Sequence, residues 1–249
     1  MPLMTEEALQ QLAVVDAERR ARAADPAFAS RVLKIKRYQQ RRFELCYADL
    51  LASARYQPAA RFFLQELYGP TDFVERDRQF ARVLPKIAAM MPAEVMATVG
   101  DLARLHAISE RLDSEMARAL AGDEVDPASY VRAWQRVGQD GLRRAQIELV
   151  LSIGAALDRF TRRAWILAAL RFMRGPAHAA GLAALQAFLE SGMGSFRSMR
   201  GATEFLSIVR ERETALMNAL FDTELEAGFS NAKLTEKLSS PLQKLPETA

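Results

Sequence analysis

Residues 126–161, DPASYVRAWQRVGQDGLRRAQIELVLSIGAALDRFT, read as the start and body of one long buried helix. Asp126 has a side chain that caps a helix N-terminus, and Pro127 takes the first helical position, where its missing N–H costs nothing. From 145 to 157 the segment is apolar nearly all round, as a helix at the centre of a helical domain must be. Runs of alternating β-branched residues, the mark of strands, are absent here and along the chain.

Working outward, the same pattern repeats: Ala, Leu, Arg, Glu and Gln dominate, and Gly and Pro fall between apolar segments. Helices are predicted over 6–23, 27–54, 57–68, 73–91 with a bend at Pro85, 92–121, 127–161, 164–174, 177–191 and 202–225. Their boundaries lie at Asp25-Pro26, Gly69-Pro70, the loop 122–126, Gly175-Pro176 and the glycines Gly192 and Gly194. Asp72 and Glu75 form a candidate capping pair. The expected architecture is all-α, a single multi-helix domain of about eight or nine helices with a long central apolar helix. It divides into an N-terminal amphipathic helix (1–25), a helical domain (26–228) and a polar tail (229–249) whose two prolines oppose regular structure.

Half of the 249 residues are hydrophobic, enough for a substantial core. The 34 basic and 31 acidic residues leave a net charge of +3, too little field to favour nucleic acid as a partner. One cysteine, Cys46, excludes an intramolecular disulfide and fits a reducing compartment. The N-terminal segment lacks a signal-peptide pattern, and no apolar run approaches the roughly 20 residues of a membrane span. A soluble, cytoplasmic protein without a membrane partner is expected. Phosphate-binding glycine loops, dinucleotide fingerprints, nucleophile elbows and Cys-x-x-Cys pairs are absent from the sequence. Ala103 and Gly175, three residues before His106 and His178, exclude the Glu-x-x-His pattern of di-iron bundles. No catalytic residue and no metal ligand is assigned. The expected function is a non-enzymatic interaction or regulatory protein that offers helix faces to a protein partner or to a second copy of itself.

A ligand-binding alternative rests on polar residues set into apolar helix faces. At about 100° per residue, Val95, Leu102, Leu105, Leu112, Met116 and Leu120 form one stripe of the 92–121 helix. Ser109 and Asp113 fall inside that stripe, and His106 lies roughly 60° from its centre. Glu148 interrupts the apolar 145–157 segment, with Arg144 four residues before it. A buried charge must find a partner or shift its pKa, so these residues read as an internal network or as the lining of a pocket. Phe62, Phe63, Tyr68, Phe73 and Phe80 crowd the Gly69-Pro70 turn, as a core corner or as a pocket wall. The basic cluster Lys34, Lys36, Arg37, Arg41 and Arg42, and the run Arg210-Glu211-Arg212-Glu213, read as solvated faces.

The stretches RFFLQELYGPTDFVERDRQFARVLP (61–85), LARLHAISERLD (102–113) and RGPAHAAGLAALQAFLESG (174–192) resemble an uncharacterised family of all-helical proteobacterial proteins, over about residues 30–222. That resemblance implies the fold and carries no catalytic residues. A Phe-rich corner, a helix with one histidine beside its apolar stripe and a long apolar helix are also similar in outline to the globin family. The globin outline implies haem as cofactor, with His106 as proximal iron ligand and Phe62, Phe63 and Phe73 walling the ring. The chain departs from it in length, in having no identifiable distal residue and in carrying Asp113 and Glu148.

Overall fold

A computed structural model describes residues 2–67, 73–89, 91–122, 124–224 and 246. Among the described residues the chain forms twelve α-helices and no strand: α1 (Pro2–Ala23), α2 (Pro26–Cys46), α3 (Ala48–Ala52), α4 (Gln57–Phe62), α5 (Val74–Ile87), α6 (Ala93–Ala119), α7 (Pro127–Val137), α8 (Asp140–Thr161), α9 (Ala164–Phe172), α10 (Arg174–Ala179), α11 (Ala183–Met199) and α12 (Thr203–Asp222). A single π turn, Phe63–Leu67, continues α4. The all-α domain is thus as expected, with twelve helices rather than eight or nine. The Gly69-Pro70 turn, Tyr68, Asp72 and the 229–249 tail except Pro246 lie outside the described residues.

The spine is α6, which packs against α1, α2, α7 and α8, while α8 packs in turn against α11 and α12. The stripe read from the sequence faces inward: Leu105, Leu112 and Met116 are buried. Two end signals hold as written. Asp25 accepts the Phe28 N–H at 3.0 Å with Pro26 at the first helical position. Asp126 accepts the Ser129 N–H at 2.7 Å, and Ser129 Oγ accepts the Asp126 N–H at 2.9 Å, a reciprocal capping box.

The expected central helix is divided. Gly138 adopts φ 64° and ψ −115°, a conformation that only glycine enters without strain, and Gln139 follows at φ 61° and ψ 38°. The chain therefore turns between α7 and α8. Arg143 holds the corner, donating from Nε to Gly138 O at 3.0 Å while its guanidinium lies 3.3 Å from the Trp134 ring centroid. A second departure is opposite in kind, since Gly192 and Gly194 lie inside α11 instead of ending a helix. A Cβ at Gly192 would sit 3.0 Å from Phe62 Cζ, so this glycine serves the close approach of α4 and α11. The turn falls later, at Arg200 and Gly201, both at positive φ.

Gly138→Ala is expected to destabilise the fold by about 1–3 kcal/mol through backbone strain alone, because a Cβ there meets nothing nearer than Gln135 O at 3.9 Å. Urea unfolding should give a lower midpoint with an unchanged slope.

Candidate ligand-binding site

One face of α6 carries His106, Ser109, Glu110 and Asp113, spaced so that successive turns stack them. Three surrounding helices bring the cations. From α1, Arg22 pairs with Glu110 and also donates to Glu110 O and Ser114 Oγ, both at 2.9 Å. From α2, Lys36 pairs with Glu110 and stands 3.6 Å from Asp113. From α5, Asp77 accepts from Arg19 and from His106 Nε2, each at 2.7 Å, with Arg76 Nε at 3.2 Å. Ser109 Oγ accepts from Gln146 Nε2 at 2.8 Å, which ties α6 to α8.

Two carboxylates three residues apart on one helix respond oppositely to this setting. Burial would raise the Glu110 pKa, but Lys36 and Arg22 outweigh it and lower the group to about 2. Asp113 is pushed up, by burial first and then by the Glu110 charge, against the pull of Lys36. At Asp77 burial is again overcome, by the hydrogen bond and charge of His106 with help from Arg76 and Arg19, so its carboxyl lies well below the usual range.

Lys36, Arg76, Asp77, His106, Glu110 and Asp113 line a cavity of about 100 Å³ that also meets Phe73, Phe80 and Phe188. Arg76 lies over the Phe73 and Phe188 rings, 3.9 and 4.6 Å from their centroids. Beyond Leu102, Leu105 and Phe188, which belong to both walls, lies a second, apolar chamber of about 330 Å³. Phe62 and Phe63 wall this larger space with side chains from α6, α8, α9 and α11.

The residues singled out from the sequence are thus sorted. His106, Ser109, Asp113 and Phe73 meet at the polar cavity, and Phe62 and Phe63 at the apolar chamber. Glu148 and Arg144 do not join them. Glu148 is on the outer side of α8, its side chain 61% exposed and paired with Arg210 at 2.5 Å. Arg144 is exposed and pairs with Asp140 one turn earlier at 2.8 Å. The reason is the rotation of about 100° per residue within α8, which sets Glu148 on the side opposite the buried Leu149, Val150 and Ile153.

Sequence reasoning missed Asp77, Glu110, Arg19, Arg22 and Arg76. It also placed Lys36 and Arg42 on a solvated face. Arg42 is buried and bonds Glu213 through both nitrogens at 3.1 and 3.3 Å, with the Tyr47 hydroxyl on the same carboxylate at 2.8 Å. A signal existed for two of these. Glu110 follows His106 by four residues, and Arg42 follows the buried Ile35 by seven.

The haem expected from the globin outline does not fit. The His106 nitrogen that would bind iron is held by Asp77, and Phe62 and Phe63 wall a chamber that His106 does not reach. Glu66, Asp77, Glu110 and Asp113 line the cavity beside His106, four carboxylates unsuited to a porphyrin face. Among the described residues, no group of three or more His, Cys, Asp or Glu side chains could hold a metal ion.

A family described as a domain of unknown function, DUF8198, matches residues 18–227. The chain belongs to the DUF8198 family. No curated protein and no solved structure matches it. In this DUF8198 chain every ion pair of the polar cavity, from Arg19 to Asp113, falls within the matched span. No helix among the described residues is long and apolar enough to cross a membrane.

Glu110 has its folded pKa below its unfolded 4.5, so its contribution is complete above pH 4.5 and lost as pH falls toward 2. Glu110→Gln is expected to cost about 3 kcal/mol at neutral pH, since it leaves two buried cations short of a carboxylate. Its stability should fall less steeply on acidification than that of the native protein. Asp113 shifts the other way and weakens the fold as pH rises through its raised value. Asp113→Asn should therefore cost much less than Glu110→Gln. Urea unfolding across the acid range separates the two variants.

Proposed function

We propose that this protein is a non-enzymatic binding protein for a small apolar molecule, held in the chamber between α6, α8, α9 and α11. The observation that carries this reading is the chamber itself, about 330 Å³ walled almost entirely by aliphatic and aromatic side chains. The chamber is partly open to solvent beside Trp165, Met173 and Leu189, which are exposed, and apolar clefts of about 300 Å³ and above are those that hold small ligands. The few polar groups on the wall are engaged elsewhere. The Thr98 hydroxyl donates to Glu94 O at 3.0 Å, and Gln186 Nε2 donates to Leu170 O at 2.7 Å. An apolar body therefore loses little on entering, whereas a polar one would be left without partners.

The ligand site accordingly moves from the His106, Asp113 and Glu148 neighbourhood anticipated from sequence to the chamber beside it. The polar cavity adjoins one end across Leu102, Leu105 and Phe188, so an amphipathic ligand would turn its polar end that way.

The test is titration of the purified protein with a dansyl-labelled fatty acid, read by fluorescence and by thermal shift. Saturable uptake is expected, with a raised Tm. Val99→Phe and Leu170→Phe each add ring atoms inside the chamber and should weaken uptake at least about tenfold while the helical signal persists. Absence of saturable uptake, together with absence of any apolar compound in a solvent extract of the protein, sinks the reading.

A further inference from the structure

The helix α9, AWILAALRF, has a single polar residue, Arg171, and yet none of its residues is buried. Ile166, Leu167 and Leu170 pack half-buried against Ala156, Phe160 and Met193. The opposite face carries Trp165, Ala168 and Phe172, where a surface helix ordinarily carries polar groups. Trp165 is 55% exposed and Phe172 79%, and Met173 just beyond the helix is also exposed. Such residues scattered singly are common on protein surfaces; sharing one helix face, they make a continuous apolar strip.

Arginines bracket the strip. Residues 158–174 hold five of them and one acid. Arg162 and Arg163 precede α9, and Arg171 and Arg174 close it. The carboxylates that answer them are each less exposed than their partners. Asp158 and Glu190 have side chains 13% and 25% exposed against 68% for Arg162 and 61% for Arg174, and Glu94, shared by Arg159 and Arg163, is 34% exposed against 53% and 41%. Among the described residues Arg171 makes no ion pair. Positive charge therefore faces outward at both ends of the apolar strip.

We propose that α9 and its flanking arginines form a docking surface for an anionic lipid bilayer. Trp165 and Phe172 enter at the headgroup level, and Arg162, Arg163, Arg171 and Arg174 meet lipid phosphates. Aromatic rings flanked by cations suit that boundary, which is apolar on one side and negatively charged on the other. A second copy of the chain fits poorly, because it would bring a like-charged face to this one. The docking surface stands on α9 alone. The ligand reading adds one consequence: Trp165, Ile166, Ala169, Leu170 and Met173 also wall the apolar chamber, so docking places the chamber against the bilayer as a source of apolar ligand.

The experiment is flotation of the full chain with vesicles of phosphatidylcholine alone and of phosphatidylcholine mixed with phosphatidylglycerol, at low and high salt. Binding to the mixed vesicles, weakened by salt, is expected. Phe172→Glu should lower partitioning at least about tenfold, and the Arg162→Gln, Arg171→Gln pair should flatten the salt dependence. Phe172 and Arg171 are exposed, and Arg171 makes no ion pair among the described residues, so Phe172→Glu should leave the melting curve unchanged. Arg162 pairs with the mostly buried Asp158, and its loss should lower the Tm of the double variant slightly. Phe172 does not wall the chamber, so Phe172→Glu should retain dansyl fatty acid uptake, which keeps this test separate from the ligand reading. Equal binding to both vesicle types, no binding to either, or native-like binding by Phe172→Glu overturns the proposal. So does a dimer that Phe172→Glu dissociates in the absence of vesicle binding.

Discussion

Burial of acidic groups around α6 is the constraint from which much of the arrangement follows. Glu110 and Asp113 cannot sit between packed helices as bare charges, and neither can Asp77 opposite them. Glu110 and Asp113 are met by cations that their own helix does not supply, and Asp77 is met from α1 and α6 as well as by its neighbour Arg76. Arg19 and Arg22 arrive on α1 and Lys36 on α2, while Asp77 of α5 meets His106 of α6, which fixes how those helices lie around α6. Buried ion pairs of this kind add little net stability over well-packed apolar groups, but a misplaced helix would leave a charge alone in the interior. Their effect is to penalise wrong registers.

The same arrangement separates two environments across one wall. On the side of α1, α2 and α5, charges are matched closely and the space left is small, about 100 Å³. On the side of α9 and α11 the lining is almost entirely carbon and the space is more than three times larger, about 330 Å³. Phe188 faces both, with Arg76 stacked on it from the polar side. An apolar chamber beside a charged cavity suits a molecule with two chemically different ends. The outer wall of the apolar chamber is α9, the helix whose other face is left to solvent.

Much of the fold was legible locally. The cap at Asp126, the helix boundary at Asp25-Pro26, the inward stripe of α6 and the absence of strands among the described residues all follow from spacing within a few turns. Errors arose where one residue type has two uses. Gly138 ends a helix because its φ is positive, whereas Gly192 continues one because a ring from α4 presses against it. Arg42 and Glu213 resemble solvated charges in sequence and are partners in the interior, 171 positions apart. Glu148 resembles a buried charge and lies at the surface, because α8 packs its Leu149, Val150 and Ile153 side against other helices and Glu148 faces away from it.

The sequence by itself determined that the chain is helical, where most helices begin, and that the face of α6 holding His106, Ser109 and Asp113 is unusual. These depend on a 3.6-residue period and on end chemistry, both of which act over a few residues. Only the tertiary structure decided that Asp77 meets His106, that Glu110 is shared by Arg22 and Lys36, and that an apolar chamber lies behind Phe188. Those contacts join separate helices, such as Arg22 and Glu110, 88 positions apart. Their existence depends on how helices cross and which side of each faces its neighbour, and a local period carries no record of that.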